Sequence, residues 1–380
     1  MKSDWTTVRL GDMCEIKNGY AFKSKDFASS GVPVIKIKNV KPNQIIESDF
    51  SYIPETIAEE KSKWLIRKGD ILLTMTGNRA DGSPESWVGK AALFTLEGKY
   101  LLNQRVAAIT SNHKELDTEY LGYYLSSWES QLYFIKRSNS SGGQANISPD
   151  IVRNYIIALP PLEEQLKIVG ILKTIDTRIK NNCDINDNLQ QQTQAIYASM
   201  FVDNADPAWQ QGHLSDLVTV RYGKDHKKLA DGIYPVYGSG GIMRYVERPL
   251  YDKESVLIPR KGTLNNVMYV NQPFWSVDTM FYTEMRMPNV AKFVYHFVKA
   301  KDLASMNAGS AVPSMTTDIL NAMEVAIPPA SALEEFELLV APMYKAMQEN
   351  DAQSKILADL RDTLLPKLMS GEIDVSGINL

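Results

Sequence analysis

Several segments of this 380-residue chain combine Lys or Arg with Asn, Gln and aromatic residues. Cationic side chains contact phosphate groups, and amide side chains hydrogen-bond to the edges of nucleobases. In Arg260-Lys261-Gly262, the glycine also lets backbone approach a phosphate closely. For each residue, the alternative is an ordinary solvated side chain. The candidate nucleic-acid contacts are Lys23, Lys25, Asn78, Arg79, Gln104, Arg105 and Gln144 in the first half, and Lys224, His226, Lys227, Lys228, Arg260, Lys261, Asn265 and Asn266 in the second.

Motifs for catalysis are missing from the sequence. It has no GxxxxGK[ST] phosphate loop and no Asn/Asp-Pro-Pro-aromatic motif of an adenine methyltransferase. The Gly238, Gly240 and Gly241 cluster lacks the glycine pattern of a dinucleotide loop. The four histidines are scattered, and the only cysteines are Cys14 and Cys183. We therefore predict no catalytic residues, no metal site and no cofactor.

One enzymatic alternative stays open. Pro84-Glu85 followed by Glu97-Gly98-Lys99 weakly resembles the PD…(D/E)xK layout of metal-dependent nucleases. Glu15 and Lys17 match the second part equally well, and the second half of the chain has no counterpart.

The chain repeats itself. Residues 146–161 read NISPDIVRNYIIALPP, and residues 314–329, 168 positions later, read SMTTDILNAMEVAIPP. Trp5, Leu10, Asp12 and Gly19 likewise recur 204 positions later as Trp209, Leu214, Asp216 and Gly223. The two halves share their ends and differ in their middles. An internal repeat of this length indicates a duplicated domain, each copy followed by a helix.

Two long helices are predicted from apolar residues that advance by alternating steps of four and three. The first stripe turns polar at Asn182, Asn186 and Thr193, and the second at Asn350, Ser354 and Arg361. Buried polar residues in such a seam cost stability but fix register and partner choice, so we expect the helices to pair as an antiparallel coiled coil. The alternative is two amphipathic helices that pack on separate cores. The apolar positions are Ile168, Leu172, Ile175, Ile179, Leu189, Ile196 and Met200, then Phe336, Val340, Met343, Met347, Leu357, Leu364 and Leu368.

The helix ends are also marked. Pro160-Pro161 with Glu163 and Glu164 suits a first helical turn, and Ser331 with Glu334 has capping-box spacing. Gly371 is the expected stop of the second helix. A helix over residues 162–200 would span about 58 Å. The predicted division is a globular domain over 1–160, a long helix over 161–206, a second globular domain over 207–329 and a second long helix over 330–380.

The two globular parts have an α+β pattern. Short β-like runs occur at Val34–Lys38, Asp70–Met75 and Lys90–Thr95, and again at Tyr234–Tyr237, Ser255–Ile258 and Asn266–Val270. Each part closes with an amphipathic stretch, at Glu119–Trp128 and Val290–Lys299. We expect two domains of α+β class, related by a pseudo-twofold repeat and separated by the paired helices.

Charge is distributed unevenly. The net charge is -4, but residues 1–160 and residues 207–329 each carry +2, whereas the helical segments 161–206 and 330–380 carry -3 and -5. A mixed solvated surface would explain a charge of +2, which leaves nucleic-acid binding open. The N-terminus has no signal-peptide layout, and no run of 18 apolar residues occurs. We expect a soluble, cytoplasmic protein in a reducing compartment.

Taken in order, these motifs resemble the specificity subunits of type I restriction-modification systems over nearly the full length. The resemblance rests on the opening W-x-x-V-x-L-G-D with Asn18-Gly19, and on QANISPDIVRNYIIALPPLEEQ at residues 144–165. In the second half it rests on YPVYGSGGI, RKGTLNNV and FWSVDTMFY. The family's Gly-Gly-Gln loop corresponds to Gly142, Gly143 and Gln144, whereas the second half has Ser310, Ala311 and Val312 there. That difference puts a shared contact at this loop in doubt.

The resemblance implies that each domain recognises one half of a split, asymmetric site in double-stranded DNA. It also implies that the helices set the gap and dock methyltransferase subunits, while partner chains, including an ATP-dependent restriction subunit in some systems, carry the chemistry. A protein-binding scaffold that does not touch DNA, and the metal-dependent nuclease, remain as alternatives.

Overall fold

A computed structural model describes residues 5–78, 86–141, 144–306 and 314–378. The chain divides into two compact units, which are described separately. Unit 1 comprises residues 1–181 and 353–380, and unit 2 comprises residues 182–352. Each unit therefore contains one globular domain, part of the helix that follows it, and part of the other long helix.

Unit 1 contains fourteen described strands. They are Thr6–Arg9 (β1), Cys14–Asn18 (β2), Val32–Ile35 (β3), Val40–Lys41 (β4), Gln44–Ile45 (β5), Ser51–Ile53 (β6), Ile71–Thr74 (β7), Thr76–Gly77 (β8), Ala91–Leu93 (β9), Leu101–Leu102 (β10), Val106–Ser111 (β11), Asn139–Ser141 (β12), Gln144–Asn146 (β13) and Ile156–Leu159 (β14). The α-helices are Leu10–Met13 (α1), Glu55–Glu60 (α2), Thr118–Ser126 (α3), Trp128–Arg137 (α4), Pro149–Arg153 (α5) and the start of Leu162–Ala198 (α6).

Unit 2 contains nine described strands. They are Gln210–His213 (β15), Val218–Tyr222 (β16), Asp231–Gly238 (β17), Gly241–Val246 (β18), Ser255–Pro259 (β19), Met268–Val270 (β20), Trp275–Ser276 (β21), Met280–Met285 (β22) and Glu324–Ile327 (β23). Its helices are Leu214–Leu217 (α7), Ala291–Lys299 (α8), Thr317–Asn321 (α9) and the start of Ala330–Met369 (α10). The α+β class and the two long helices are confirmed.

Three sheets have the same topology in the two units, and unit 1 adds the sheets β12-β13-β8 and β4-β5. The four-stranded sheet has the order β2-β11-β7-β9 in unit 1 and β16-β22-β19-β20 in unit 2. A three-stranded sheet combines one parallel and one antiparallel pair in both units, in the orders β10-β3-β6 and β21-β17-β18. The first strand of each unit pairs with its last, β1 with β14 and β15 with β23. The internal repeat is therefore a repeat of fold.

The core of each unit joins its domain to both long helices. In unit 1, Ile168 and Leu172 of α6 and Leu368 of α10 lie in one buried cluster with Trp5 and Tyr120. In unit 2, Tyr197 of α6 and Phe336, Val340 and Tyr344 of α10 share a cluster with Phe293. The helices thus pack on the domain cores as well as on each other. The apolar stripes therefore serve both the predicted pairing of the helices and the alternative, packing on the domain cores.

Within each unit the two helices are antiparallel and joined by the predicted polar seam. In unit 2, Asn182 Nδ2 donates to the Asn350 carbonyl (3.3 Å) and Asn350 Nδ2 donates to Asn186 Oδ1 (2.8 Å). In unit 1, Arg361 Nη1 donates to Asp176 Oδ1 (2.9 Å), and Asp176 Oδ2 accepts from Tyr123 and Asn43. Because directional amide and ion-pair contacts occupy the seam, register is fixed by more than apolar packing.

The helix ends agree with the sequence except at one cap. α6 begins at Leu162, directly after the proline pair, and ends in a π-helical turn at Ser199–Asp203. Gly371, with φ +73°, follows α10. The predicted capping box at Ser331 is wrong, because α10 begins at Ala330 and Ser331 lies inside its first turn. The Pro329 carbonyl instead accepts from the Ala332 and Leu333 amides.

None of the described helices is long and apolar enough to cross a membrane.

Candidate nucleic-acid interface

In unit 1, three segments meet at the end of β2. Gly19 N donates to the Val106 carbonyl (3.1 Å) and Tyr20 N to the Leu102 carbonyl (2.8 Å), which fixes the turn at residues 103–105 beside the strand end. A side chain on Gly19 would lie 2.1 Å from the Asn103 oxygen, so only glycine permits this approach. The repeated glycine of the opening motif is therefore a packing requirement.

The same turn is bonded to Met75, between β7 and β8, and through Met75 to Ile147, which follows β13. Met75 N donates to the Arg105 carbonyl (2.9 Å), and Ile147 N donates to the Met75 carbonyl (2.8 Å). β8 follows Met75 and pairs with β13, so that Ala145 is opposite Gly77. Asn78 and Gln144 each lie one residue beyond that pair, at the same end of the small sheet.

Unit 2 repeats this backbone network bond for bond. Gly223 N donates to the Met280 carbonyl (3.0 Å) and Lys224 N to the Ser276 carbonyl (2.8 Å). Arg260 N donates to the Thr279 carbonyl (2.9 Å), and Met315 N donates to the Arg260 carbonyl (2.9 Å). A side chain on Gly223 would lie 2.0 Å from the Val277 oxygen. The equivalences are Gly19 with Gly223, Met75 with Arg260, Gln104 with Asp278, Arg105 with Thr279, and Ile147 with Met315.

The shared backbone presents different side chains in the two units. The turn presents Gln104 and Arg105 in unit 1 but Asp278 and Thr279 in unit 2, and the position after Met75 is Thr76 in unit 1 but Lys261 in unit 2. The shared backbone hydrogen bonds, called the backbone frame below, fix the positions of these side chains. The residue types at those positions determine which hydrogen-bond donors and acceptors are exposed.

Most candidate residues of unit 1 lie at this edge. Gln104, Arg105, Asn78 and Gln144 are exposed on the segments joined to the turn. Asn78 Nδ2 donates to Ser86 Oγ (3.0 Å), which holds its side chain within its own loop. Lys23 and Lys25 are exposed on and beside the 3₁₀ turn Ser24–Asp26, which follows Tyr20 along the chain. Arg79, Gly142 and Gly143, together with Ser310, Ala311 and Val312 of unit 2, lie outside the described residues.

In unit 2, Arg260 and Lys261 stand on the strand end joined to the turn. The Arg260 guanidinium lies 5.4 Å from the centre of the Tyr222 ring and donates to the Asp278 carbonyl (3.4 Å), whereas Lys261 is exposed. Lys224, Lys227 and Lys228 are exposed in the segment after β16, and Trp275 Nε1 donates to the Lys224 carbonyl (2.8 Å). His226 is partly buried, and its Nδ1 has no hydrogen-bond partner among the described residues.

The two asparagines of unit 2 hold the loop together. Asn265 Nδ2 donates to Asp302 Oδ1 (3.0 Å) and its Oδ1 accepts from the Ala304 amide (3.0 Å). Asn266 Nδ2 donates to the Ser239 carbonyl (2.8 Å). These bonds give both amides a structural role in the loop.

Sequence reasoning missed three features of unit 2. Asp278 and Thr279 were not considered because their position on the turn depends on the tertiary frame. Tyr222, half-exposed at 51%, packs against Arg260. The tip of the β17–β18 hairpin approaches the Arg260 loop, although its glycines match no dinucleotide-binding pattern. An alignment of the two halves on Gly19 and Gly223 does not point to the first of these, because those glycines are 204 residues apart whereas Gln104 and Asp278 are 174 residues apart.

The repeated motif at the helix start has a structural role in unit 1. Glu164 Oε2 accepts from Trp5 Nε1 (3.1 Å). Gln165 Nε2 donates to the carbonyls of Glu115 (2.7 Å) and Pro160 (2.8 Å), and its Oε1 accepts from the Asp117 amide (2.8 Å). These bonds attach the first turn of α6 to the domain.

The residues of the nuclease pattern take part in surface ion pairs. Glu97 pairs with Lys68, and Lys99 Nζ lies 3.9 Å from Glu55 Oε2. Pro84 and Glu85 lie outside the described residues. Within the described ranges, no three His, Cys, Asp or Glu side chains are grouped so as to hold a metal ion.

The chain is similar to type I specificity subunits along its whole length. It is 23% identical to the type I restriction enzyme MjaIX specificity subunit of Methanocaldococcus jannaschii, over 98% of this chain and 94% of that protein. It is 21% identical to the HindI specificity subunit of Haemophilus influenzae, over 98% and 100% of the two chains. Its fold matches the crystal structure of the S subunit from M. genitalium with a TM-score of 0.57, at 17% identity and over 98% and 97% of the chains.

The family model for the type I restriction modification DNA specificity domain matches twice, at residues 2–191 and 207–360. Those two matches coincide with the two copies of the glycine-centred frame. The chain therefore belongs to the type I restriction modification DNA specificity family and carries two copies of its domain.

Proposed function

We propose that each domain of this specificity subunit recognises one half of a split, asymmetric site in double-stranded DNA. The observation that carries the proposal is the backbone frame common to both units, which holds different side chains at equivalent positions. Gln104 and Arg105 can bond to adenine and guanine edges, whereas an acid such as Asp278 accepts from cytosine N4. Since the two units offer different patterns, their half-sites should differ.

We propose that the contacts of unit 1 come from Lys23, Lys25, Asn78, Gln104, Arg105 and Gln144, with Arg79 beside them in sequence. Those of unit 2 come from Lys224, His226, Lys227, Lys228, Arg260, Lys261, Asn265 and Asn266, and the structure adds Asp278 to them. Lys and Arg supply the phosphate contacts that fix register, and the amide and acidic side chains supply base discrimination. Asn265 and Asn266 also support the loop through their hydrogen bonds to Asp302, Ala304 and Ser239.

We propose that the chain works as recognition domains over 1–160 and 207–329 and spacer helices over 161–206 and 330–380. The spacer helices set the unread gap and dock methyltransferase subunits. Apolar side chains exposed on the helices support docking, because such groups mark protein contacts when they recur on one element. The residues concerned are Leu162, Leu166 and Ile185 on α6, and Leu338, Leu339, Ile356 and Leu360 on α10.

In this proposal the chain selects the site and is not itself an enzyme. Partner chains supply S-adenosylmethionine, adenine methylation and, where a restriction subunit is present, ATP-driven cleavage. Incubation of the isolated chain with duplex DNA and Mg²⁺ should leave the DNA intact. Cleavage that disappears in Glu97→Ala and Lys99→Ala would establish the nuclease alternative instead.

The deciding experiment maps methylation in a living cell. The chain is expressed with the methyltransferase subunit of its own system in a host without adenine methylation, and modified adenines are located by single-molecule sequencing. We expect one motif with two unlike halves and an unread gap. A motif with a single contiguous half would mean that only one unit recognises bases. A stable complex without any modified motif would support the protein scaffold.

A further inference from the structure

The hairpin of unit 2 ends in a tip without bulky side chains. β17 and β18 pair up to Gly238 and Gly241, which leaves Ser239 and Gly240 as the connecting residues. Gly241 has φ +111°, and an added side chain on Gly240 or Gly241 would meet no atom within 4 Å. Bare backbone of this kind lets another molecule approach closely.

Next to this tip the hairpin exposes two large apolar side chains. Ile242 is 49% exposed and Met243 is 61% exposed. Tyr237 pairs with Ile242 and Val236 pairs with Arg244, so Met243 is the unpaired residue of a β-bulge. A side chain on Gly238 would lie 2.5 Å from Met243 Sδ, which shows that the thioether lies over this glycine. Bulges redirect side chains and are frequent beside functional sites.

The tip adjoins the basic loop of the candidate interface. A side chain on Gly262 would lie 2.6 Å from Ser239 Oγ, and Asn266 Nδ2 donates to the Ser239 carbonyl (2.8 Å). Lys261 directly precedes Gly262. On the other side, Tyr237 pairs with Ser276, whose carbonyl accepts from Lys224 N (2.8 Å). The segments that carry Lys261 and Lys224 are thus joined to the hairpin at its tip and at Tyr237.

The positive charge around this surface favours a DNA duplex as the molecule that binds there. A duplex is attracted by Lys224, Arg260 and Lys261 through its phosphates, and the glycine tip allows its backbone to come close. An apolar side chain among such cations is the arrangement that proteins use to separate stacked base pairs. Methionine suits this role because its flexible, polarisable side chain adapts to irregular surfaces.

We propose that Met243, supported by Ile242, inserts as an apolar wedge at a base step in the half-site recognised by unit 2. This inference rests on the proposed DNA-recognition function. The strand of unit 1 that is equivalent to β17 is β3. It ends at Ile35, and the chain continues into the 3₁₀ turn Ile37–Asn39, so the described residues of unit 1 form no equivalent hairpin tip. The wedge therefore distorts only one of the two half-sites.

The test uses the complex of the full chain with its methyltransferase subunits and duplexes that carry the mapped motif. 2-Aminopurine replaces one base at a time through both half-sites, and its fluorescence reports loss of stacking. A methyltransferase extrudes its target adenine from the stack, so the methylated adenines should give increased fluorescence in every variant. Apart from those adenines, we expect increased fluorescence at one step of one half-site. The increase should disappear in Met243→Ser and return in Met243→Leu. The salt dependence of binding should stay unchanged, because the phosphate contacts are retained.

Ile233→Ser is the matched control. Ile233 is also an exposed residue at a bulge of the same hairpin, 78% exposed, but it lies at the end opposite the tip. This variant should keep the fluorescence increase. Salt-dependent binding with no Met243-dependent signal at any position would overturn the wedge and leave the proposed function intact. Absence of DNA binding by the wild-type complex would overturn both. Loss of the methyltransferase subunits from Met243→Ser would overturn the wedge and identify a protein interface.

Discussion

Arg260 and Lys261 are neighbours with different surroundings. The Arg260 guanidinium is held beside Tyr222 and the Asp278 carbonyl, whereas the Lys261 ammonium group is exposed. A held guanidinium loses less side-chain entropy when it binds, and its fork of donors can bond to two acceptors at once. Arg260 is therefore suited to a fixed contact, and Lys261 to a phosphate contact of looser geometry.

Replacement of both residues by alanine should weaken DNA binding and make it less sensitive to salt. Each lost phosphate contact lowers the slope of log K against log salt concentration by about 0.9, so the double variant should lose up to about 2. Fluorescence anisotropy of a labelled duplex between low and moderate salt measures both effects.

Arg248→Ala with Lys253→Ala is the control for this pair, since both residues are exposed in unit 2 beyond the far end of β18. It removes the same charge away from the proposed interface. If the two double variants reduce binding equally, the contact is a general effect of charge, and the assignment to the Arg260 loop is wrong.

At the scale of elements, one buried histidine joins three helices of unit 2. His296 of α8 is fully buried, with Nδ1 2.9 Å from Gln194 Oε1 of α6 and Nε2 3.0 Å from Tyr344 Oη of α10. A neutral ring satisfies both contacts, because Nδ1 can donate to the amide oxygen while Nε2 accepts from the hydroxyl. Burial, assisted by the charge of Lys299, lowers the pKa of His296 to about 3.

Unit 2 should therefore lose stability in mild acid. The unfolded chain takes up a proton on this histidine near pH 6.5, whereas the folded chain does so only near its lowered pKa. The stabilisation is complete above about pH 6.5 and is lost as pH falls toward 3, at up to ~1.4 kcal/mol per pH unit. Thermal unfolding midpoints from pH 8 to pH 5 test this. His296→Gln should show a smaller decline with acid than the wild type.

The exposed histidine of unit 1, His113, supplies the control. His113→Gln should keep the wild-type dependence on pH. A decline that is the same in the wild type and in His296→Gln would contradict the assignment to this residue.

The elements differ in how well the sequence predicts them. The long helices were predictable because apolar spacing and proline-marked starts are local signals, and the strands Ile71–Thr74 and Ser255–Pro259 fall within or beside predicted runs. The β-like run at Val34–Lys38 is a strand only as far as Ile35, and the 3₁₀ turn begins at Ile37. The candidate site was predictable in its residue types. The joining of Met75 to Arg105, and of Arg260 to Thr279, could not be predicted, because those bonds link segments 30 and 19 residues apart through the sheet.

At the scale of the whole molecule, the proposed function makes helix length a determinant of specificity. Deletion of residues 183–189 together with residues 346–352 removes one heptad from each helix and preserves the alternation of seam positions. Seven residues correspond to about 10 Å of helix, or about three base pairs at 3.4 Å each. The methylated motif should keep both half-sites and lose about three base pairs of gap.

Methylation mapping of this paired deletion provides the measurement. Deletion of the heptad from α6 alone should instead destabilise the chain, because Asn350 loses its partner Asn186. An active paired variant with an unchanged gap would show that the helices do not determine the spacing.

The composition of unit 1 has a consequence for synthesis of the protein. Unit 2 is a continuous segment, residues 182–352, whereas unit 1 includes residues from both sides of it. The core around Trp5 contains Leu365, Leu368 and Val375, and Gly371 faces the Trp5 indole. On the ribosome, the domain that is made first must therefore wait, with part of its core exposed, until the domain that is made second has emerged and the chain has returned to it.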